Sequence, residues 1–333
     1  WDSMNDGSYG EGDAVVRVRT DMTLPNPALR DWPALRIQHS PHPIVGDRYR
    51  VWPLLDFQSA IEDYEQRVTH IVRGKDLMDS TRKQTLLYEH LGWTYPQTLY
   101  WGRVKVHEFG GFSTSSMRAS IEAGERGGWD DLRLPTIQSL RRRGFDAQAL
   151  RDFWIELGVT QKDISVSMQT IESMNSSAID AKTERRSFVA NPVCLEIEGI
   201  EGTIVEPAKH PDGEISGARK WTLSNSVYIQ ESDFGNVKLR LKEFADISIS
   251  ESHASVDSID RSDERPIVQW LPENLGREAV LHIPEGEDVL AIEGLIENYE
   301  LRVGNVYQLE RVGFAVLEEL AEDGVVKLVW LHS

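Results

Sequence analysis

The sequence predicts three successive fold classes along one chain: an α/β segment, a helical segment and an all-β segment. Three observations carry this. Strand-like and helix-like stretches alternate up to residue 91, apolar residues recur at helical spacing from 135 to 184, and short alternating strands separated by turns fill the remainder. A chain of 333 residues with 40% hydrophobic content can build two or three cores, at roughly 100–200 residues per domain.

Asp2 to Asp13 is rich in Gly, Ser and Asp and reads as a loop. Residues 14–19 alternate as a strand does, and Pro25, Pro27, Pro33, Pro41 and Pro43 then punctuate an irregular segment. Residues 48–57 read as a second strand, 59–64 as a short helix, and 68–73 as a strand meeting a polar loop. Apolar spacing predicts a helix over 79–91, stopped by Gly92. Such alternation implies a parallel sheet with helical crossovers. Helices follow over 135–144, 146–158 and 168–184. From Phe188 onward the pattern is short strands, among them 193–197, 220–223, 227–229, 237–241, 267–270, 280–283, 299–303, 306–309 and 325–330. That spacing belongs to barrels or sandwiches. There is no internal repeat and no long linker.

The formal net charge is −18, with ten lysines against 26 arginines. An acidic excess with few lysines is the surface expected of a salt-adapted protein, its remaining cations concentrated where they bind something. No apolar run approaches the ~20 residues of a membrane span, and Trp1-Asp2-Ser3-Met4 lacks the basic and apolar regions of a signal peptide. The start without Met is read as a trimmed or partial frame. The single cysteine, Cys194, excludes an internal disulfide framework and is expected as a small buried strand residue in a reducing, cytoplasmic setting.

Three stretches carry chemistry. In His70-Ile-Val-Arg-Gly-Lys-Asp76 a cation sits at the C-terminal end of a predicted strand, where open α/β sheets bind ligands. Arg73 there can clamp a carboxylate or close a structural ion pair. In Gly110-Gly-Phe-Ser-Thr-Ser-Ser-Met-Arg118 a glycine pair and four hydroxyl residues could hold a phosphate or form a plain surface loop. The spacing is not that of a Walker loop. Around Gly127-Gly-Trp-Asp-Asp-Leu-Arg-Leu-Pro135, the run Arg141-Arg-Arg-Gly144 is the densest basic cluster in an acidic chain. It fits RNA phosphates or a solvated face.

Together and in this order, these blocks resemble the class I glutamyl- and glutaminyl-tRNA synthetases. Residues 26–36 resemble the return into that family's catalytic domain, and residues 50–57 and 68–76 its active-site strands. Phe112-Ser-Thr-Ser-Ser-Met117 falls at its KMSKS-type loop, and Gly128-Trp-Asp-Asp-Leu-Arg-Leu-Pro-Thr136 with Arg141-Arg-Arg-Gly144 resembles its stem-contact element. The resemblance runs from about residue 13 to the end. Arg73-Gly-Lys-Asp76 resembles the archaeal glutamyl form, the glutaminyl enzymes having no Arg there. A cation suits the γ-carboxylate of glutamate, whereas a neutral amide would leave it buried and unpaired.

The resemblance implies ATP-dependent activation of L-glutamate and transfer to the 3′ end of tRNA(Glu), with tRNA(Gln) left open. Little covalent work falls to the protein, which positions substrates and stabilises phosphate charge. It implies Arg73 and Asp56 at the amino acid, and Trp101, Gly102, Arg103 and Met117 at ATP. Ser113, Thr114, Ser115 and Ser116 would form the catalytic loop, with Mg²⁺ carried by the nucleotide and no protein metal site. Trp129, Asp130, Asp131, Arg133, Arg141, Arg142 and Arg143 would contact tRNA.

The implied architecture is the C-terminal part of a Rossmann-type nucleotide-binding catalytic domain over 1–119 and a helical stem-contact region over 120–187. Two antiparallel anticodon-binding β-barrels would occupy 188–333, the proximal one from 188–230 plus 299–333 and the distal one from 231–298. Trp270 and Tyr299 are candidates to stack on anticodon bases or to fill the barrel cores. A monomer without membrane contact is implied.

The chain departs from the family in places. None of its nine histidines sits in a His-x-Gly-His motif, so the chain is expected to begin after that motif and not to form adenylate alone. Ser116 stands where archaeal relatives carry the loop Lys, with Arg118 the nearest cation, and Leu55 stands where a Tyr is common. The competing readings are a glutaminyl enzyme, a non-catalytic tRNA-binding fragment, and a stand-alone enzyme that modifies a tRNA base with glutamate.

Overall fold

Gly92 ends the helix Met78–Leu91 in the left-handed region (φ 71°), its N–H returning to the last carbonyls of that helix. This turn lets the chain run back into the strand Gln97–Trp101, which pairs in parallel with His70–Gly74 from His70↔Gln97 to Gly74↔Trp101. A parallel pair needs such a crossover, so the expected α/β character appears here as one strand–helix–strand unit. The computed structural model describes residues 1–110, 113–212 and 215–333, and the chain divides into two units, each with its own core.

The first unit spans Trp1–Lys105 and Leu157–Ser165. Besides the parallel pair it holds an antiparallel sheet of Val15–Arg17, Pro33–Ile37 and Val51–Pro53. Residues 55–57, expected as strand, instead begin the helix Leu55–Glu65. The Leu54 N–H makes the last bond to the sheet, at the Ala34 carbonyl, and the Phe57 and Gln58 N–H groups then fold back onto the Leu54 carbonyl. The core gathers Trp32, Ala34, Ala60, Leu87 and Tyr88. Tyr64 stacks on Trp93 with centroids 3.6 Å apart, and the Tyr88 hydroxyl donates to the Ala60 carbonyl at 2.8 Å.

The second unit spans Val106–Glu156 and Val166–Ser333. Its helices are Thr114–Glu122, Ile137–Arg143, Ala147–Leu157 up to Glu156, and Met168–Ile179, the last shorter than the expected 168–184. One seven-stranded sheet takes Pro192–Ile197, Ser226–Gln230, Lys238–Leu241, Asp246–Ser250, His253–Ser258, Ile267–Val268 and Trp270–Pro272. Leu195, Ile197, Val227, Ile229, Leu239 and Trp270 are among its core residues. The other takes Arg185–Arg186, Phe188–Ala190, Gly276–Glu285, Asp288–Glu297, Val306–Leu309, Gly313–Leu320 and Val326–His332. Its two edge strands, Arg185–Arg186 and Phe188–Ala190, are separated only by Ser187. One stretch of chain therefore joins both edges, and the sheet is a nearly closed barrel.

Strand partners differ from the expected division at 230/231 and 298/299. The hairpin of Gly276–Glu285 and Asp288–Glu297 runs parallel to Val326–His332 and antiparallel to Phe188–Ala190, so it belongs with the C-terminal strands. Pro192–Ile197 and Ser226–Gln230 pair with each other and, in turn, with His253–Ser258 and Trp270–Pro272. A parallel neighbour distant in sequence leaves no local mark, which is why strand order misplaced this hairpin. Residues 299–303 form no strand, and Glu300 adopts φ 45°. Trp270 is wholly buried, donating from its indole to the Lys242 carbonyl, so it is a core residue and not a base-stacking surface. Cys194 is exposed rather than buried. Val193, Leu195 and Ile197 point to one face of their strand, and the period of two puts Cys194 on the other.

Candidate active site

In the first unit, Arg73 lies at the C-terminal end of the parallel strand His70–Gly74, half-buried. Its Nη2 donates to the Gln84 side-chain oxygen at 3.0 Å. That oxygen also accepts from the Tyr95 hydroxyl at 2.6 Å, while the Gln84 amide nitrogen donates to the Asp56 carbonyl at 3.1 Å and the Ser59 hydroxyl at 2.7 Å. Among the described residues Arg73 closes no ion pair. The carboxyl of Asp63 feels the Arg73 charge, yet burial dominates and pushes it above its usual range. Asp56 faces another way, its carboxylate taken by Lys83 at 2.7 Å.

Trp101 ends the second parallel strand, and Gly102 and Arg103 follow it. The Gly102 N–H donates to the Thr160 carbonyl at 2.7 Å, and the Arg103 N–H to the Asp163 carboxylate at 2.7 Å. Asp163 also pairs with Lys75 at 2.8 Å, and these donors hold its carboxyl below the usual range, the Lys75 hydrogen bond first. A Cβ on Gly102 would stand 2.0 Å from the Lys162 carbonyl oxygen, so only glycine fits this approach.

In the second unit, Ser113 caps the helix Thr114–Glu122. The Ser113 hydroxyl accepts the Ser116 N–H at 3.1 Å, and the Ser116 hydroxyl accepts the Ser113 N–H at 3.1 Å, a reciprocal capping box. The Ser115 hydroxyl lies 3.1 Å from that of Ser113. Thr114 and Arg118 are exposed, and Met117 is half-buried. Gly111 and Phe112 of this stretch lie outside the described residues.

The GWDD turn is braced from within. The Asp131 carboxylate accepts the Gly127 N–H at 3.0 Å, the Arg133 N–H at 3.1 Å, and the Arg133 guanidinium at 2.8 and 2.7 Å. These donors hold its carboxyl far below the ordinary range. Trp129 is half-buried, its carbonyl accepting the Thr136 hydroxyl. The three arginines of the helix Ile137–Arg143 diverge. Arg142 pairs with Glu318 at 2.5 Å and approaches Asp130 at 3.9 Å. Arg143 is buried, donating to the Leu331 carbonyl at 2.6 Å with Glu172 at 4.0 Å, and its burial pulls the guanidinium down to about 10. Only Arg141 is exposed, with no side-chain partner among the described residues.

A family model described as the catalytic domain of class I (E and Q) tRNA synthetases matches residues 1–181. The chain belongs to the class I E-and-Q tRNA synthetases. A second model, the anticodon-binding domain of the same synthetases, matches residues 183–262. The synthetase chain is similar to the glutamate–tRNA ligases of Methanosarcina mazei (42% identical, over 98% of this chain and 59% of the relative) and Archaeoglobus fulgidus (42%, 100% and 60%). That of Pyrococcus abyssi is 38% identical over 98% of this chain and 60% of the relative. The chain thus spans about three-fifths of the length of these curated relatives. This synthetase is therefore multidomain, with a catalytic and an anticodon-binding domain. Among the described residues no helix is long and apolar enough to cross a membrane.

Sequence reasoning found Arg73 but missed Gln84, Tyr95 and Ser59 around it. A signal existed. Ser80, Gln84, Leu87 and Tyr88 are the buried residues of the synthetase helix Met78–Leu91, spaced i, i+4, i+7, i+8 along one stripe. A glutamine on a core-facing stripe must find hydrogen-bond partners or pay desolvation.

Proposed function

We propose that the protein carrying this chain is a glutamate–tRNA ligase that activates L-glutamate with ATP and transfers it to the 3′ end of tRNA(Glu). The observation that carries the reading is the state of Arg73. It stands at the end of a parallel strand as a half-buried cation bonded to a neutral amide, with no carboxylate closed on it. Such a group offers its charge and a bidentate fork to the γ-carboxylate of glutamate.

In this reading the α-carboxylate oxygen of glutamate attacks the α-phosphorus of ATP and pyrophosphate leaves. A hydroxyl of the terminal adenosine then attacks the acyl carbon and AMP leaves. The parallel strand–helix–strand unit belongs to a Rossmann-type nucleotide fold, with Trp101, Gly102 and Arg103 on the adenosine side. Ser113, Thr114, Ser115, Ser116 and Met117 are read as the phosphate loop, since the first-turn N–H groups of a helix favour anions. In this reading Mg²⁺ comes with the nucleotide. Asp56, paired with Lys83, bounds the amino-acid site from the backbone side. On the tRNA side, Asp131, Arg133, Arg142 and Arg143 hold the surface together while Arg141, Trp129 and Asp130 face the stem. We read the other seven-stranded sheet as a second barrel beside the nearly closed one, both serving the anticodon. A monomeric state and a cytoplasmic setting belong to the same proposal, which leaves charging of tRNA(Gln) open.

The test is amino-acid-dependent ATP–pyrophosphate exchange by the complete protein. Exchange with glutamate and little with glutamine is the expected result. Exchange driven by glutamine, or by neither amino acid, overturns it.

A further inference from the structure

The four hydrogen bonds of Gln84 fix more than its own position. Arg73 can only donate, and the Asp56 carbonyl can only accept. The amide oxygen of Gln84 must therefore face Arg73, with Tyr95 as its second donor, and the amide nitrogen must face Asp56 and Ser59. All four hydrogen-bonding positions of the side chain are filled, and the residue is 1% exposed. No other uncharged side chain of this length offers two acceptor and two donor sites in this arrangement.

The consequence is electrostatic. Gln84 holds the Arg73 guanidinium through one nitrogen while adding no negative charge. A glutamate here would be almost the same shape, but it would neutralise Arg73 and set a carboxylate oxygen against the Asp56 carbonyl. We propose that Gln84 is a positioning and specificity-determining residue, a neutral strut that orients Arg73 and keeps its charge available for a ligand carboxylate. This rests on the reading of Arg73 as the γ-carboxylate site and assigns the residue that makes that selection possible.

The experiment compares Gln84→Glu, Gln84→Met and Arg73→Ala in the complete protein. KM and kcat are measured for glutamate and for glutamine in ATP–pyrophosphate exchange, and thermal melting monitors folding. Gln84→Glu should raise KM for glutamate on the order of 10- to 100-fold while leaving KM for glutamine nearly unmoved, so that discrimination collapses. Gln84→Met, which removes the strut without adding charge, should raise KM for glutamate less than Gln84→Glu does. A purely structural residue would lower melting and weaken both amino acids alike. If Arg73→Ala collapses discrimination but Gln84→Glu leaves it intact, the role of Gln84 is overturned while the site reading stands. If Arg73→Ala itself leaves discrimination unchanged, or the parent shows no glutamate-dependent exchange, the site reading falls and Gln84 with it.

Discussion

Arg143 donates from Nη2 to the carbonyl oxygen of Leu331 at 2.6 Å, tying the helix Ile137–Arg143 to the strand Val326–His332. Arg141 sits two residues earlier, about 200° around the helix, and is exposed without a side-chain partner among the described residues. One run of three arginines thus presents one side chain to solvent and buries another. Arg141→Ala should weaken tRNA binding, lower the slope of log K against log salt by about one, and leave thermal melting unchanged. Filter binding over a KCl series checks it.

Arg143 answers differently. Arg143→Met would leave Glu172 half-buried beside no cation, and burial already raises its carboxyl above the usual range against the pull of Arg143. The substitution also leaves the Leu331 carbonyl without its donor, a loss on the order of 1–3 kcal/mol. The sign with pH follows. With Arg143 gone the folded-state pKa of Glu172 rises further above its unfolded value of about 4.3, so ionised Glu172 opposes folding. Urea unfolding should show a larger loss at pH 7 than at pH 4.5.

What the sequence disclosed and withheld follows from the range of each signal. Gly92 as a helix stop, the strand at Arg73 and the helical stretch before Phe188 rest on spacing within a few residues, and all three were legible. The partner of the hairpin Gly276–Glu285 with Asp288–Glu297 was not, because its parallel neighbour Val326–His332 lies beyond any local pattern. The three arginines of the basic run looked alike because residue type says nothing about which face is covered. Gln84 has no mark of its own in the sequence; Leu87 and Tyr88 on the same stripe are what show it buried. Cys194 was a misreading of a pattern already present, since its neighbours' alternation placed it outside.

Asp131 predicts an acid limb. Its carboxyl titrates lower in the folded chain than in the unfolded one, chiefly through the Arg133 hydrogen bonds. Its contribution is therefore present above the unfolded pKa of about 3.9 and is lost as pH falls below that value. Asp131→Asn keeps the shape but not the charge-assisted bonds, at a cost of roughly 1.5–3 kcal/mol at pH 7. Urea midpoints measured from pH 6 to 3 should fall more steeply for the parent than for the variant. Parallel curves would remove Asp131 from the acid response.

Gly102→Ala tests whether the backbone approach at the residues proposed for the adenosine side matters. The added Cβ would meet the Lys162 carbonyl oxygen at 2.0 Å and its carbon at 2.5 Å, both main-chain atoms that cannot rotate away. Residues 160–164 must then move. With them go the Gly102 N–H bond to Thr160, the Ile164 N–H bond to the Arg103 carbonyl, and the Asp163 carboxylate that joins Arg103 N–H to Lys75. Lys75 is two residues from Arg73, so the loss reaches the end of the strand that presents the cation. Overpacking of this kind costs about 1–3 kcal/mol. Hydrogen exchange should quicken at 102 and 160–164 before any global loss of structure, with KM rising for ATP and for glutamate together. Unchanged exchange there would mean that the segment accepts the methyl group by a small shift and that the close approach is not needed.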